Sequence, residues 1–200
     1  MDDRFDFQLV TGDFLDGEGL DFIAGSYRAF GNNGTHALNG DISSGTGAAP
    51  AVLSALMTAS DHLPVVADYQ LPAVLDVVKA SIPTMLQLGK VFRLSVTISN
   101  AAEALVPIGA DELDDTLTAS GDLIGTFTGT DAALGSGNEH LVTFDASTPG
   151  AKSGMITVPS TSQLAANGLV EIPIGFEVTL GMLQGDYNGD GFVDAADYAL

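Results

Sequence analysis

The sequence predicts a mainly β chain built around an antiparallel sandwich, and three observations carry that expectation. Apolar and polar residues alternate along "VFRLSVTIS" (91–99) and "VEIPIGFEVTL" (170–180), the period of a strand with one buried face. Glycine is abundant, at 24 of 200 residues, and falls with Asn, Ser and Asp between short apolar runs. Long helical patterns are absent.

In the N-terminal segment, residues 1–72, "RFDFQLVT" (4–11) reads as a strand. Phe5, Phe7 and Leu9 share one of its faces, and Asp6 and Gln8 the other. "GLDFIAGS" (19–26) is a second strand candidate, residues 31–50 are turn-rich and read as a surface loop, and "AVLSALMT" (51–58) reads as a short helix before "SDHLPVVADY". A boundary falls near Leu71-Pro72. The sandwich occupies 73–183. Its clearest strand places Phe92, Leu94, Val96 and Ile98 on one face. Shorter strands start at Leu123, His140 and Gly154, and the last runs from Val170 to Leu180. Pro173 lacks an amide donor, so it predicts an open edge or a bulge at that point. The phrase "LGKVFRLSVTISNAA" (88–102) resembles the second strand of immunoglobulin-like modules of bacterial surface proteins. A second boundary falls near Leu183-Gln184-Gly185, ahead of an acidic tail, 184–200.

Charge and composition exclude several function classes. The chain has 6 basic and 26 acidic residues, a net of −20, and no segment is basic. Clustered Lys and Arg, which nucleic-acid binding uses to neutralise phosphates, are missing. There is no cysteine, which rules out disulfides and thiolate metal sites. No apolar run is long enough to span a membrane. The start, "MDDRFDFQ", lacks the basic and apolar layout of a signal peptide: either secretion is not intended or the natural start lies upstream.

Asp61-His62, ahead of Leu63-Pro64-Val65, is the first candidate for chemistry. Ser60-Asp61-His62 with the strand that follows, and the Arg-x-Asp-aromatic pattern of Arg4-Phe5-Asp6-Phe7, resemble the closing motifs of the endonuclease/exonuclease/phosphatase family, in the family's order. The resemblance implies the C-terminal strands of an α/β-sandwich acting on a phosphodiester. His62 would be the base for the attacking water. Asp6 would orient its imidazole, and Asp61 would hold Mg2+ or a similar divalent metal or position the water. Asp21 is an alternative orienting carboxylate without the preceding arginine. "TGDFLD" (11–16) has Leu15 where the family's metal motif needs asparagine, and it follows the Arg-x-Asp strand instead of preceding it. The family's glutamate and asparagine motifs have no counterpart upstream, so the resemblance implies that this chain alone does not turn over substrate. His36 and His140 read as exposed loop or strand histidines.

The second candidate is "GDYNGDGFVDAADYAL" (185–200). Asp186, Asn188 and Asp190 fall at positions 1, 3 and 5 of a calcium loop and Gly191 at the turn position 6. The carbonyl of Phe192 falls at 7, Asp194 at 9 and Asp197 at 12. Hard oxygens at this spacing fold around one Ca2+ ion in an EF-hand-like arrangement. Aspartate at the last position, and "DAADYAL" (194–200) opening the following helix, resemble a dockerin repeat, which implies a cohesin partner. A dockerin pairs two such loops, and only one is present.

These features together predict a piece of a secreted or cell-surface bacterial protein. It would join the tail of a metal-dependent phosphodiesterase domain, a sandwich and a truncated calcium repeat. The alternative is a non-catalytic extracellular calcium-binding module for surface attachment.

Overall fold

The computed structural model describes residues 7–34, 40–60, 62–181 and 195. The chain divides into two compact units, Met1–Leu71 and Pro72–Leu200.

Met1–Leu71 has little regular structure. Its one described helix, α1 (Pro50–Ala59), starts on Pro50, whose missing N–H would have no helical partner in any case. Leu53 of α1 is fully buried. Ile42, in a 3-10 turn that Asp41 caps through the Ser43 N–H at 2.8 Å, is the other large apolar residue buried among those described. Two-residue strands β1 (Arg28–Ala29) and β2 (Val65–Val66) pair antiparallel. Gly47 packs so tightly on the Gly31 carbonyl that no Cβ fits between them.

The expected strands at 4–11 and 19–26 are not present among the described residues. Phe7 to Thr11 has no strand pairing, Phe7 and Leu9 are 64% and 87% exposed, and the second stretch contributes one isolated bridge, Phe22 to Tyr69. A strand needs a neighbour's amides and carbonyls as well as an apolar face, and the described part of this unit supplies no sheet to join. The α/β-sandwich layer expected here is therefore corrected: the unit has neither its central sheet nor its flanking helices among the described residues.

Pro72–Leu200 holds a two-sheet β-sandwich. In chain order its strands are β3 (Leu75–Lys79), β4 (Met85–Gln87), β5 (Arg93–Asn100), β6 (Leu113–Gly121), β7 (Leu123–Ile124), β8 (Thr126–Asp131), β9 (Asn138–Phe144), β10 (Gly150–Pro159) and β11 (Leu169–Thr179). One sheet has the order β4-β11-β10-β6-β8, the other β3-β5-β9-β7. All pairings are antiparallel except β4 with β11.

Alternation explains the core. Leu94, Val96 and Ile98 of β5 are fully buried, as are Leu113 and Leu117 of β6, Val142 of β9 and Ile156 and Val158 of β10. Phe144 links the layers, its ring lying 5.0 Å from Phe92 and 4.8 Å from Phe176 of β11. Pro173 sits opposite Met155 of β10, and on its other flank β4 pairs only with Glu177–Thr179, which leaves that side of β11 open at Pro173. The stretch from Leu123 is two strands instead of one. β7 belongs to the four-stranded sheet and β8 to the five-stranded sheet, and Gly125 lies at the crossing, where a Cβ would meet the Phe127 ring at 2.8 Å.

Candidate functional site

His62 lies just past α1. Its backbone N–H donates to Ser60 Oγ at 3.0 Å and the residue is exposed, which makes the segment a hydroxyl-stabilised turn out of the helix. Asp61 and Asp6 lie outside the described residues. So do Asp186, Asn188, Asp190, Phe192, Asp194 and Asp197. Among the described residues no three His, Asp or Glu side chains converge as a metal centre would require.

The unit that carries His62 has a hollow of about 280 Å³, lined by Gln8, Leu15, Phe22, Tyr27 and Tyr69 among others. Tyr69 Oη donates to Gln8 Oε1 at 3.0 Å, and Gln8 Nε2 donates to the Val65 carbonyl at 3.3 Å. Phe14 and Phe22 pack edge-on against Tyr69, with ring centres 5.8 and 6.0 Å away. None of the lining residues is a carboxylate, histidine or lysine. The Arg28–Asp68 ion pair, at 3.2 Å, has both side chains more than half exposed and contributes little.

The sandwich buries several polar groups. Asn100, Asp111, Asp115 and Asp131 are all less than one-tenth exposed. Asn100 Nδ2 donates to the Asp111 carbonyl at 2.8 Å, and its Oδ1 accepts from Val74 N at 3.1 Å and Ala102 N at 3.2 Å. Asp115 and His140 face the interior. The reading of His140 as an exposed residue is corrected: it alternates in register with buried Val142 and Phe144, and its Nε2 is buried. The period-two pattern in "HLVTF" is the signal that finds His140, whereas around Asp115 the aspartate itself interrupts the apolar row of Leu113 and Leu117.

No protein-family model matches this chain, and no curated protein matches it. Among solved structures, it is similar to a crystal structure of the CARDB domain of the PF1109 protein from Pyrococcus furiosus in complex with di-metal ions. The identity is 18% over 54% of this chain and 89% of that one, with a TM-score of 0.36. A solution NMR structure of the same CARDB domain gives 19% identity over 55% and 97%, TM-score 0.37. Domains 4 and 5 of the S-layer protein SbsC give 14% over 57% and 58%, TM-score 0.32.

These neighbours are CARDB and S-layer domains, and nothing in the comparisons is an endonuclease/exonuclease/phosphatase domain or a dockerin. Both family resemblances are overturned. With them falls the phosphodiesterase reading. The physical reason lies in Met1–Leu71: two short runs match the family's motifs, but the described residues around them form only the two-residue pairing of β1 with β2, not the broad sheet that would hold a base and its orienting carboxylate. A motif of a few residues specifies a turn far more cheaply than it specifies an active site. Among the described residues no helix is long and apolar enough to cross a membrane.

Proposed function

We propose that this chain is a non-catalytic module of an extracellular surface protein, a β-sandwich spacer whose C-terminal loop binds calcium. The observation that carries the reading is the path of the chain through the sandwich. The chain enters at Val74, which bridges Ala166 just before β11. It leaves after Thr179, at the other end of the same strand, where the Leu88 N–H donates to the Thr179 carbonyl at 2.8 Å. An 11-residue strand rises about 36 Å. Entry and exit at opposite ends suit a module strung between others, with load passed along hydrogen-bonded strands.

The calcium part rests on spacing alone. Asp186, Asn188, Asp190, Asp194 and Asp197, with the carbonyl of Phe192, supply hard oxygens in the order a calcium loop uses. Loops of this kind in extracellular modules fill at roughly millimolar calcium, so a single loop of modest affinity suffices there.

Calorimetric titration of calcium into the full chain tests this reading. It predicts uptake of one ion, lost in the Asp186→Ala/Asp190→Ala double variant. Absence of any calcium-dependent heat rejects the calcium loop. Turnover of a generic phosphodiester with Mg2+ present, abolished by His62→Ala, rejects the non-catalytic assignment.

A further inference from the structure

The sandwich buries one carboxylate that its hydrogen bonds leave out. Asp115 lies mid-β6 on the inward face between Leu113 and Leu117, is 3% exposed, and neither of its oxygens has a hydrogen-bond partner. From the other sheet, His140 of β9 stacks on Phe127 of β8 with ring centres 5.0 Å apart, and its Nε2 is buried and equally without a partner. Gly129 of β8 pairs with Asp115, and its missing side chain makes room for two others: a Cβ there would be crowded at 3.0 Å by both Asp115 Oδ2 and Asn138 Nδ2. Asn138 Nδ2 also donates to the Thr130 carbonyl at 3.1 Å, fastening β9 to β8.

The charged groups around this spot are few. Burial pushes the Asp115 carboxyl above its ordinary value of 3.8. His140 pulls it down, and Asp114 on the same strand and Asp131 of β8 push it up. Asp114 faces away and accepts from Thr130 Oγ1 at 2.6 Å, while Asp131 Oδ2 is bonded to Asn100 N. On β9, Glu139 is turned to Ser95. The one cation of β10, Lys152, is bonded to Asp122, and the inward residues of β5 are Leu94, Val96 and Ile98. No third metal-ligating side chain converges here among the described residues, so the species this pair can exchange is a proton.

We propose that Asp115 and His140 form a proton-operated catch between the two sheets, closed when Asp115 is protonated and loosened when it ionises. Protonated, the acid is neutral and sits in the core at modest cost. Ionised, it is a buried charge with no donor, offset only by His140. The folded chain thus holds this proton more tightly than the unfolded chain. Stability is full below the ordinary carboxylate value and falls as the pH rises from there through the raised folded value. The yielding element is β8, an edge strand that only β6 pairs within its sheet.

Amide hydrogen exchange on the full chain, compared between β8 and β10 from just below the ordinary carboxylate value up to neutrality, tests the catch. In the wild type the protection of β8 relative to β10 falls with rising pH, by up to about tenfold for each unit by which the carboxyl is raised. In Asp115→Asn the ratio is independent of pH. In His140→Gln the loss moves to higher pH, because the group that pulls the carboxyl down is gone. An equal pH response in wild type and Asp115→Asn, or an unmoved profile in His140→Gln, overturns the proposal. Should either variant fail to fold, the carboxyl-carbon resonance of Asp115 in the native chain decides alone: a midpoint at the ordinary aspartate value overturns it, and a raised one supports it.

Discussion

The backbone N–H of Asn100, the last residue of β5, donates to Asp131 Oδ2, the last residue of β8, at 2.9 Å. The bond joins one sheet of the sandwich to the other inside the core, where both residues are less than one-tenth exposed. The Asn100 side chain extends the knot to the carbonyls of Asp111 and Asp131 and to the N–H groups of Val74 and Ala102, so four backbone groups meet on a single amide.

Asn100→Ala removes that amide and strands the Val74 and Ala102 donors and the Asp111 carbonyl away from water. The expected loss is about 3 kcal/mol, given net values near 1 kcal/mol per bond and a penalty for each orphaned group. Urea unfolding followed by circular dichroism measures it. A loss below about 1 kcal/mol would mean that the knot contributes no more than a surface contact.

Leu94→Ala opens a cavity at a fully buried site, and about 3 kcal/mol should be lost. Leu105, 98% exposed in the loop between β5 and β6, is the control: its alanine variant should stay within about 0.5 kcal/mol of wild type. Equal effects at the two sites would contradict the placement of the core.

Gly121 ends β6 with φ at +71°, and a Cβ there would come within 2.5 Å of the Ser153 carbonyl of β10. Gly121→Ala meets both the left-handed backbone penalty and a collision with a paired strand. A loss of at least about 2 kcal/mol is expected, read as a fall in melting temperature. A neutral substitution would place β10 farther away than the structure does.

Asp122 accepts from the Ser153 N–H at 2.9 Å and from Lys152 Nζ at 3.1 Å, and these two bonds hold its carboxyl below the ordinary aspartate value. A depressed folded value contributes stability that is complete above the unfolded value and is lost as pH falls through the folded one. Asp122→Asn should therefore flatten the acid limb of a plot of urea midpoint against pH, below about pH 4, and leave its slope near neutrality unchanged. This is opposite in sign to the dependence set by Asp115, whose carboxyl is raised, so the two aspartates are separable in one experiment.

The residue alternation made much of the sandwich legible beforehand. From Leu94 to Ile98 and from Ile172 to Val178 every second side chain turns inward, because a pleated strand with one dry face can satisfy itself in no other way. β6 was harder to see. Its inward row reads Leu113, Asp115, Leu117, and an aspartate in the apolar register masks the period. The crossing at Gly125, where one apolar run is divided between two sheets, carries no local signal either, since which sheet a strand joins depends on partners distant in the chain.

The candidate sites divide along the same line. The ligand order of Asp186 to Asp197 is a property of spacing alone, and these residues lie outside the described structure, so the calcium loop stands as proposed above. Asp61-His62 looked catalytic because short motifs resemble one another, yet catalysis needs a base, a carboxylate and a metal held together by a sheet. The described part of Met1–Leu71 contains only the two-residue ladder of β1 and β2.

By itself the sequence determined the acidic balance, the β class of the central region and the inward face of its most regular strands, all of which follow from composition and period. The tertiary structure alone decided the order of strands in each sheet, the knot on Asn100 and the burial of Asp115 near His140. Those depend on contacts between residues far apart in the chain, where the closure of long loops and the desolvation of polar groups are settled together and no local pattern records the outcome.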